Sequence, residues 1–179
     1  MHKTVVLVYL MLFLIVFAAC ETDSKVKEDS VKAIKGNDEN STTALNEAYN
    51  DWELTPIFEY HTKSKDGEDL TYEVIGKKDA FGITGPFPIV SSKSQKYFWF
   101  YWGQENIKNQ PVEIMALKKG AKDLIKVFSG EFYSGAQINK NEVNMPSNLL
   151  FPSPGVWNVL IFIDDELTGN IVVEVVSTD

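Results

Sequence analysis

Only a few residues in this chain could do covalent or recognition chemistry. Cys20 is the single cysteine, and it directly follows the apolar run Val5–Ala19, with Lys3 the one charge ahead of that run. Past Cys20 the sequence turns abruptly polar, with Glu21, Thr22, Asp23 and Ser24. A short basic start, an apolar stretch of this size and small residues before a boundary are the pattern of a secreted precursor cut behind Ala19. His61 is the one histidine left after such a cut, and Glu59 lies two residues before it, on the same face of any strand that holds both. Tyr97-Phe98-Trp99-Phe100-Tyr101-Trp102 is an unbroken run of six aromatic residues.

Each candidate has a definite chemistry. Phe17-Ala18-Ala19-Cys20 resembles a bacterial lipobox, in which a cysteine thiol takes a diacylglyceryl group and becomes the first residue of the mature chain. Two or more acyl chains hold a protein stably at a membrane where one holds it marginally, at about 0.8 kcal/mol per buried methylene. The apolar run is short for a spanning helix, which needs about 20 residues, and Glu21 is the wrong flank for a cytoplasmic end. The aromatic run alternates across a strand, so Tyr97, Trp99 and Tyr101 face one side and Phe98, Phe100 and Trp102 the other. One set packs in the core. The other, taken here as Tyr97, Trp99 and Tyr101, is either a ligand platform or is covered by the segments 82–90 or 129–154. An uncovered aromatic stripe would be an aggregation hazard.

No catalytic or metal site is expected. Asp164, Asp165 and Glu166 form one acidic turn and Asp66, Glu68 and Asp69 another, but neither has the patterned spacing of a calcium loop. There is no phosphate-binding glycine loop, no nucleophile elbow and no Cys/His cluster, so no cofactor is expected. A hydrolase using two carboxylates is the enzymatic alternative, since such pairing is invisible in a sequence. The chain carries 17 basic and 25 acidic residues; without residues 1–19 the balance is 16 to 25, a formal charge of −9. That surface argues against nucleic-acid binding and against electrostatic attraction to anionic lipid.

The elements that must position these groups are strands. Residues 1–19 read as a signal peptide and 20–46 as a lipidated N-terminus on a flexible acidic tether without aromatic residues. Residues 47–179 read as one domain. Within it the segments 52–60, 70–75, 96–102, 112–118, 122–128, 156–163 and 171–176 are rich in Val, Ile and aromatic residues and bounded by turn formers. Asp66-Gly67 and Lys119-Gly120 supply glycines for tight turns, and Asp164-Asp165 joins the last two strands. Short edge strands are expected at 131–133 and 136–139, and Leu149–Phe151 tucks under the sheets. Trp157 is expected in the core, Trp52 as a lid at one end. Seven or more strands predict an all-β fold, an immunoglobulin-like β-sandwich, with a small barrel as the alternative.

Gly82-Ile83-Thr84-Gly85-Pro86-Phe87, Lys96–Gly103, Phe151-Pro152-Ser153-Pro154-Gly155-Val156-Trp157 and Phe162–Val173 together resemble a group of predicted lipoproteins from Bacillus and related Gram-positive bacteria. The resemblance implies an immunoglobulin-like sandwich displayed outside the membrane and no assigned activity. The function expected is therefore a binding or accessory module of the cell envelope. It would be anchored at the extracytoplasmic face of a bacterial membrane by lipid on Cys20, with an envelope protein, a wall polymer or a small ligand as partner.

Overall fold

The computed structural model describes residues 50–134 and 143–177. Cys20, the tether and the expected strand at 136–139 lie outside the described residues. Eleven strands are described: β1 (Ile57–Lys63), β2 (Asp69–Gly76), β3 (Phe81–Thr84), β4 (Ile89–Val90), β5 (Gln95–Tyr101), β6 (Pro111–Lys118), β7 (Leu124–Glu131), β8 (Tyr133–Ser134), β9 (Val143–Leu149), β10 (Gly155–Ile163) and β11 (Glu166–Val176). They form a six-stranded sheet in the order β1-β2-β3-β5-β9-β8 and a five-stranded sheet in the order β4-β11-β10-β6-β7.

The expected sandwich is present, and its topology is immunoglobulin-like. The run β3-β5-β9-β8 has the order of an A-B-E-D sheet, and β11-β10-β6-β7 that of G-F-C with one added strand. β4 pairs parallel with β11, whereas all other strand pairs are antiparallel. The β1–β2 hairpin is an addition that widens the first sheet.

The inner faces meet in one core. Phe81, Ile83, Tyr97, Trp99, Tyr101 and Met145 from the first sheet pack against Ile114, Val159, Ile161, Ile171 and Val173 from the second. Trp157 is buried there as expected, its ring 5.5 Å from that of Phe151 and its Nε1–H donating to Ser153 O at 3.0 Å. The indole of Trp99 donates to Ser147 Oγ at 2.9 Å. An immunoglobulin disulfide would tie strands B and F; the only cysteine here is Cys20, so packing around Trp99 carries that load.

The turns follow the residues. Gly67 (φ 92°) and Gly120 (φ 83°) take left-handed conformations at the two expected turns. Asp164 (φ 51°) and Asp165 (φ 66°) are both left-handed, the type I′ geometry that fits strand twist in a two-residue hairpin. Three expectations need correction. Residues 52–56 do not belong to the first strand: Thr55 N–H donates to Val172 O at 2.9 Å, so this segment lies on the opposite sheet. A seven-residue strand, β9, runs through Val143–Leu149, where no strand was expected and the tucked segment was to begin only at Leu149. The strand expected to begin at Lys122 begins at Leu124 and runs on to Glu131.

Candidate functional site

The first sheet is wider than the second on the β1 side, and this mismatch builds the site. Ile57, Glu59, His61 and Lys63 occupy the face of β1 that looks toward the second sheet, yet all four are exposed. The preceding segment crosses to β11, where Thr55 accepts from Val172 N–H through Oγ1 at 2.8 Å. Between the two sheet edges lies a groove of about 190 Å³, lined by Leu54, Thr55, Ile57, Ile75, Phe87, Pro88, Ile89, Val172, Val173 and Glu174. Core residues Ile75, Ile89 and Val173 form its floor, and the cis Phe87–Pro88 segment one wall. At the rim, Leu54 is 48% and Ile57 59% exposed, two of the four large apolar residues left most open among the described residues.

The lining is chemically plain. The Thr55 hydroxyl already serves Val172, and Glu174 is the only charged group there. This arrangement can hold an apolar group and offers little to a sugar.

The platform expected on Tyr97, Trp99 and Tyr101 is not at the surface. Tyr97 is 1%, Trp99 0% and Tyr101 9% exposed, all in the inter-sheet core. The physical reason is the second sheet, whose β10 and β11 cover that face of β5. Burial pushes the Tyr97 phenol up to about 12 and raises that of Tyr101.

The other half of the run builds a separate cluster on the outer face. Val74, Phe98 and Phe100 are buried there under Phe58, Tyr60, Leu70, Tyr72 and Trp102. Trp102 stacks on Phe100 (5.6 Å, 14°) and meets Tyr60 edge-on at 4.9 Å. Gly82 makes room for it, since a Cβ there would come within 2.9 Å of the indole. The sequence did carry a signal for this cluster. Phe58 and Tyr60 alternate with polar residues on β1, as Leu70, Tyr72 and Val74 do on β2. The same face of the sheet holds Asn144, fully buried beside Phe100, with neither amide atom hydrogen-bonded.

Glu59 and His61 do approach one another, at 3.7 Å, and His61 Nδ1 lies 2.9 Å from Thr71 Oγ1. Hydroxyl, imidazole and carboxylate thus stand in triad order. The carboxylate is beyond hydrogen-bond range, however, and both the acid and the imidazole are largely exposed. Nothing about this open strand face excludes water or gathers donors for an oxyanion. Among the described residues no three His, Asp or Glu side chains converge on a metal position.

The likenesses to known proteins agree with the fold. The X-ray structure of a "Putative Lipoprotein from Bacillus anthracis" matches with a TM-score of 0.55 at 16% identity, over 73% of this chain and 91% of that one, a likeness of fold alone. A superoxide reductase (neelaredoxin) from Ignicoccus hospitalis matches at a TM-score of 0.37 and 10% identity, over 55% of this chain and 80% of that one, too distant to argue from. No curated protein matches the sequence. The model of a domain of unknown function, DUF4871, matches residues 41–173. The expected likeness to Bacillus lipoproteins of unassigned activity therefore holds at the level of fold, and this chain belongs to the DUF4871 family.

Proposed function

We propose that this chain is a binding module of the bacterial cell envelope, held at the extracytoplasmic face by acyl chains on Cys20. Residues 20–46 space its domain from the membrane, and the groove takes an apolar side chain of another envelope protein. The observation that carries the binding role is the pair Leu54 and Ile57, exposed at the mouth of an apolar groove whose floor is core. Isolated exposed apolar residues are ordinary; these two share the mouth of one apolar concavity, which supports a binding role.

The groove's size and chemistry select the occupant. Pockets for small-molecule ligands run to about 300–1,000 Å³, and this one holds about 190 Å³. A cavity of about 150 Å³ lined by aliphatic residues accepts benzene, so one large side chain fits. A wall glycan would need donors and acceptors for its hydroxyls, which the lining lacks.

Benzene is the probe for the groove, followed by methyl NMR. Saturable shifts confined to Ile57, Ile75, Ile89, Val172 and Val173 are expected, with affinity reduced about tenfold or more in Ile57→Asp. Equal binding to that variant, or shifts spread across the core, would refute the groove as the site. Labelled palmitate tests the anchor: it should enter the wild type and not Cys20→Ala, and equal labelling refutes the anchor.

A further inference from the structure

The edge strand β1 is self-complementary, and we infer that two copies of this chain pair through it, antiparallel, about a two-fold axis at Tyr60. Ser64 N–H donates to Glu68 O at 2.8 Å and Gly76 N–H to Pro56 O at 3.1 Å. These bonds bracket the β1–β2 ladder, in which Phe58, Tyr60 and Thr62 stand opposite Val74, Tyr72 and Leu70. In an antiparallel ladder the hydrogen-bonded pairs recur at every second residue. They therefore fall at 56, 58, 60, 62 and 64. The main-chain N–H and C=O groups of Ile57, Glu59, His61 and Lys63 then point away from β2, toward a side where no described strand pairs.

A second β1 can meet those groups in few registers. A two-fold axis at Tyr60 aligns all seven residues of Ile57–Lys63 with their counterparts. It places Glu59 opposite the second copy's His61 and Ile57 opposite its Lys63, and both are hydrogen-bonded pairs. Tyr60 then meets its own symmetry mate at a non-hydrogen-bonded position. Shifting the axis to Glu59 sets two carboxylates face to face. Shifting it to His61 sets imidazole against imidazole and leaves Ile57 and Phe58 beside a turn.

Charged residues on an edge strand ordinarily block pairing. Here Glu59 falls opposite the second copy's His61 and Lys63 opposite uncharged Ile57, so no like charges oppose one another, and the contact is isologous, so it closes at two copies. The outer aromatic faces would continue across the seam, with Phe58 beside the second copy's Thr62.

The test uses the full chain in detergent, with differently tagged copies. Glu59→Lys alone sets lysine opposite histidine, and His61→Glu alone sets glutamate opposite glutamate, so each variant should self-associate at least tenfold more weakly than wild type. Mixed together, the two variants set the introduced lysine against the introduced glutamate and keep one native His61–Glu59 pair. They should associate with each other at close to wild-type strength. A monomeric wild type, or a mixture no better than either variant alone, overturns the proposal. Mild oxidation gives an independent reading. Tyr60→Cys brings its thiols to Cα atoms about 4.5 Å apart, within disulfide range, and should cross-link at least tenfold faster than Thr62→Cys. Wild type, which has Cys20 alone, is the background. Equal rates for the two cysteine variants overturn the two-fold axis at Tyr60.

Discussion

Replacing Ser147 by alanine should destabilise the domain far more than the loss of one oxygen suggests. Trp99 is wholly buried and Ser147 is 3% exposed, and Trp99 Nε1–H donates to Ser147 Oγ at 2.9 Å. The indole is a donor only, and no other described residue accepts its proton. The alanine variant leaves that donor buried and unpaired, which costs about 1–3 kcal/mol. In a protein of this size each kcal/mol moves Tm by about 2–4 °C. Trp99→Phe removes the donor itself, along with ring volume. In that background the Ser147 hydroxyl has lost its partner, so Ser147→Ala should cost little or even stabilise. Urea unfolding followed by far-UV circular dichroism measures all four members of the cycle, with a shift in midpoint at constant m as the sign of a pure stability effect. The coupling energy should be at least about 1 kcal/mol. Additive effects, or a loss below about 0.5 kcal/mol for Ser147→Ala, would refute the claim that the cost comes from the indole donor left unpaired.

Three further outcomes follow from buried or strained groups. Tyr97, pushed up to about 12 from an ordinary 10.0 by burial, favours the folded state as the neutral phenol. Its contribution of about 2–3 kcal/mol is whole below pH 10 and is lost as pH rises toward 12; circular dichroism across that range should show Tyr97→Phe losing less stability than wild type, and parallel losses refute this. Asp165→Gly should stabilise by about 0.5–1 kcal/mol, because residue 165 sits at φ 66°; a lower thermal midpoint contradicts the turn assignment. Asn144→Leu replaces two buried, unpaired amide atoms with an apolar group of similar size, and should raise stability by about 1–3 kcal/mol, so a loss in urea midpoint would show that the amide has a partner.

Much of the sandwich was legible because its signals are local. Gly67, Gly120 and the Asp164-Asp165 pair mark turns by their chemistry, and β6, β10 and β11 announce themselves as mostly apolar runs interrupted only by Glu113, by Asn158 and, within 171–176, by Glu174. β9 was hidden by Pro146, which lacks an N–H and argues against a central strand. The structure resolves this: β8 reaches only Val143 and Asn144, so Pro146 stands where β9 is the sheet's edge, a place that tolerates proline. β3 and β4 were too short, and too broken by Gly82, Pro86 and Pro88, to be read at all.

The aromatic run shows a deeper limit. Alternation divides it correctly into Tyr97, Trp99, Tyr101 and Phe98, Phe100, Trp102, but nothing local says which triplet faces the second sheet. That choice depends on β1 and β2, whose aromatic residues share a face with the second triplet and whose polar residues look toward the other sheet. A hairpin patterned this way cannot lie over the sandwich core; it has to project beyond it. Once it projects, Ile57 is left on the inward face with no strand opposite, and the space between it, Leu54 and the β4–β11 edge becomes the groove. The same projection makes β1 a long edge strand whose outward main-chain groups meet no described strand. The groove and the pairing edge are thus two consequences of one feature of the sequence, the reversed polarity of residues 57–63, and Ile57 is the one apolar side chain among the polar residues on that face of the strand.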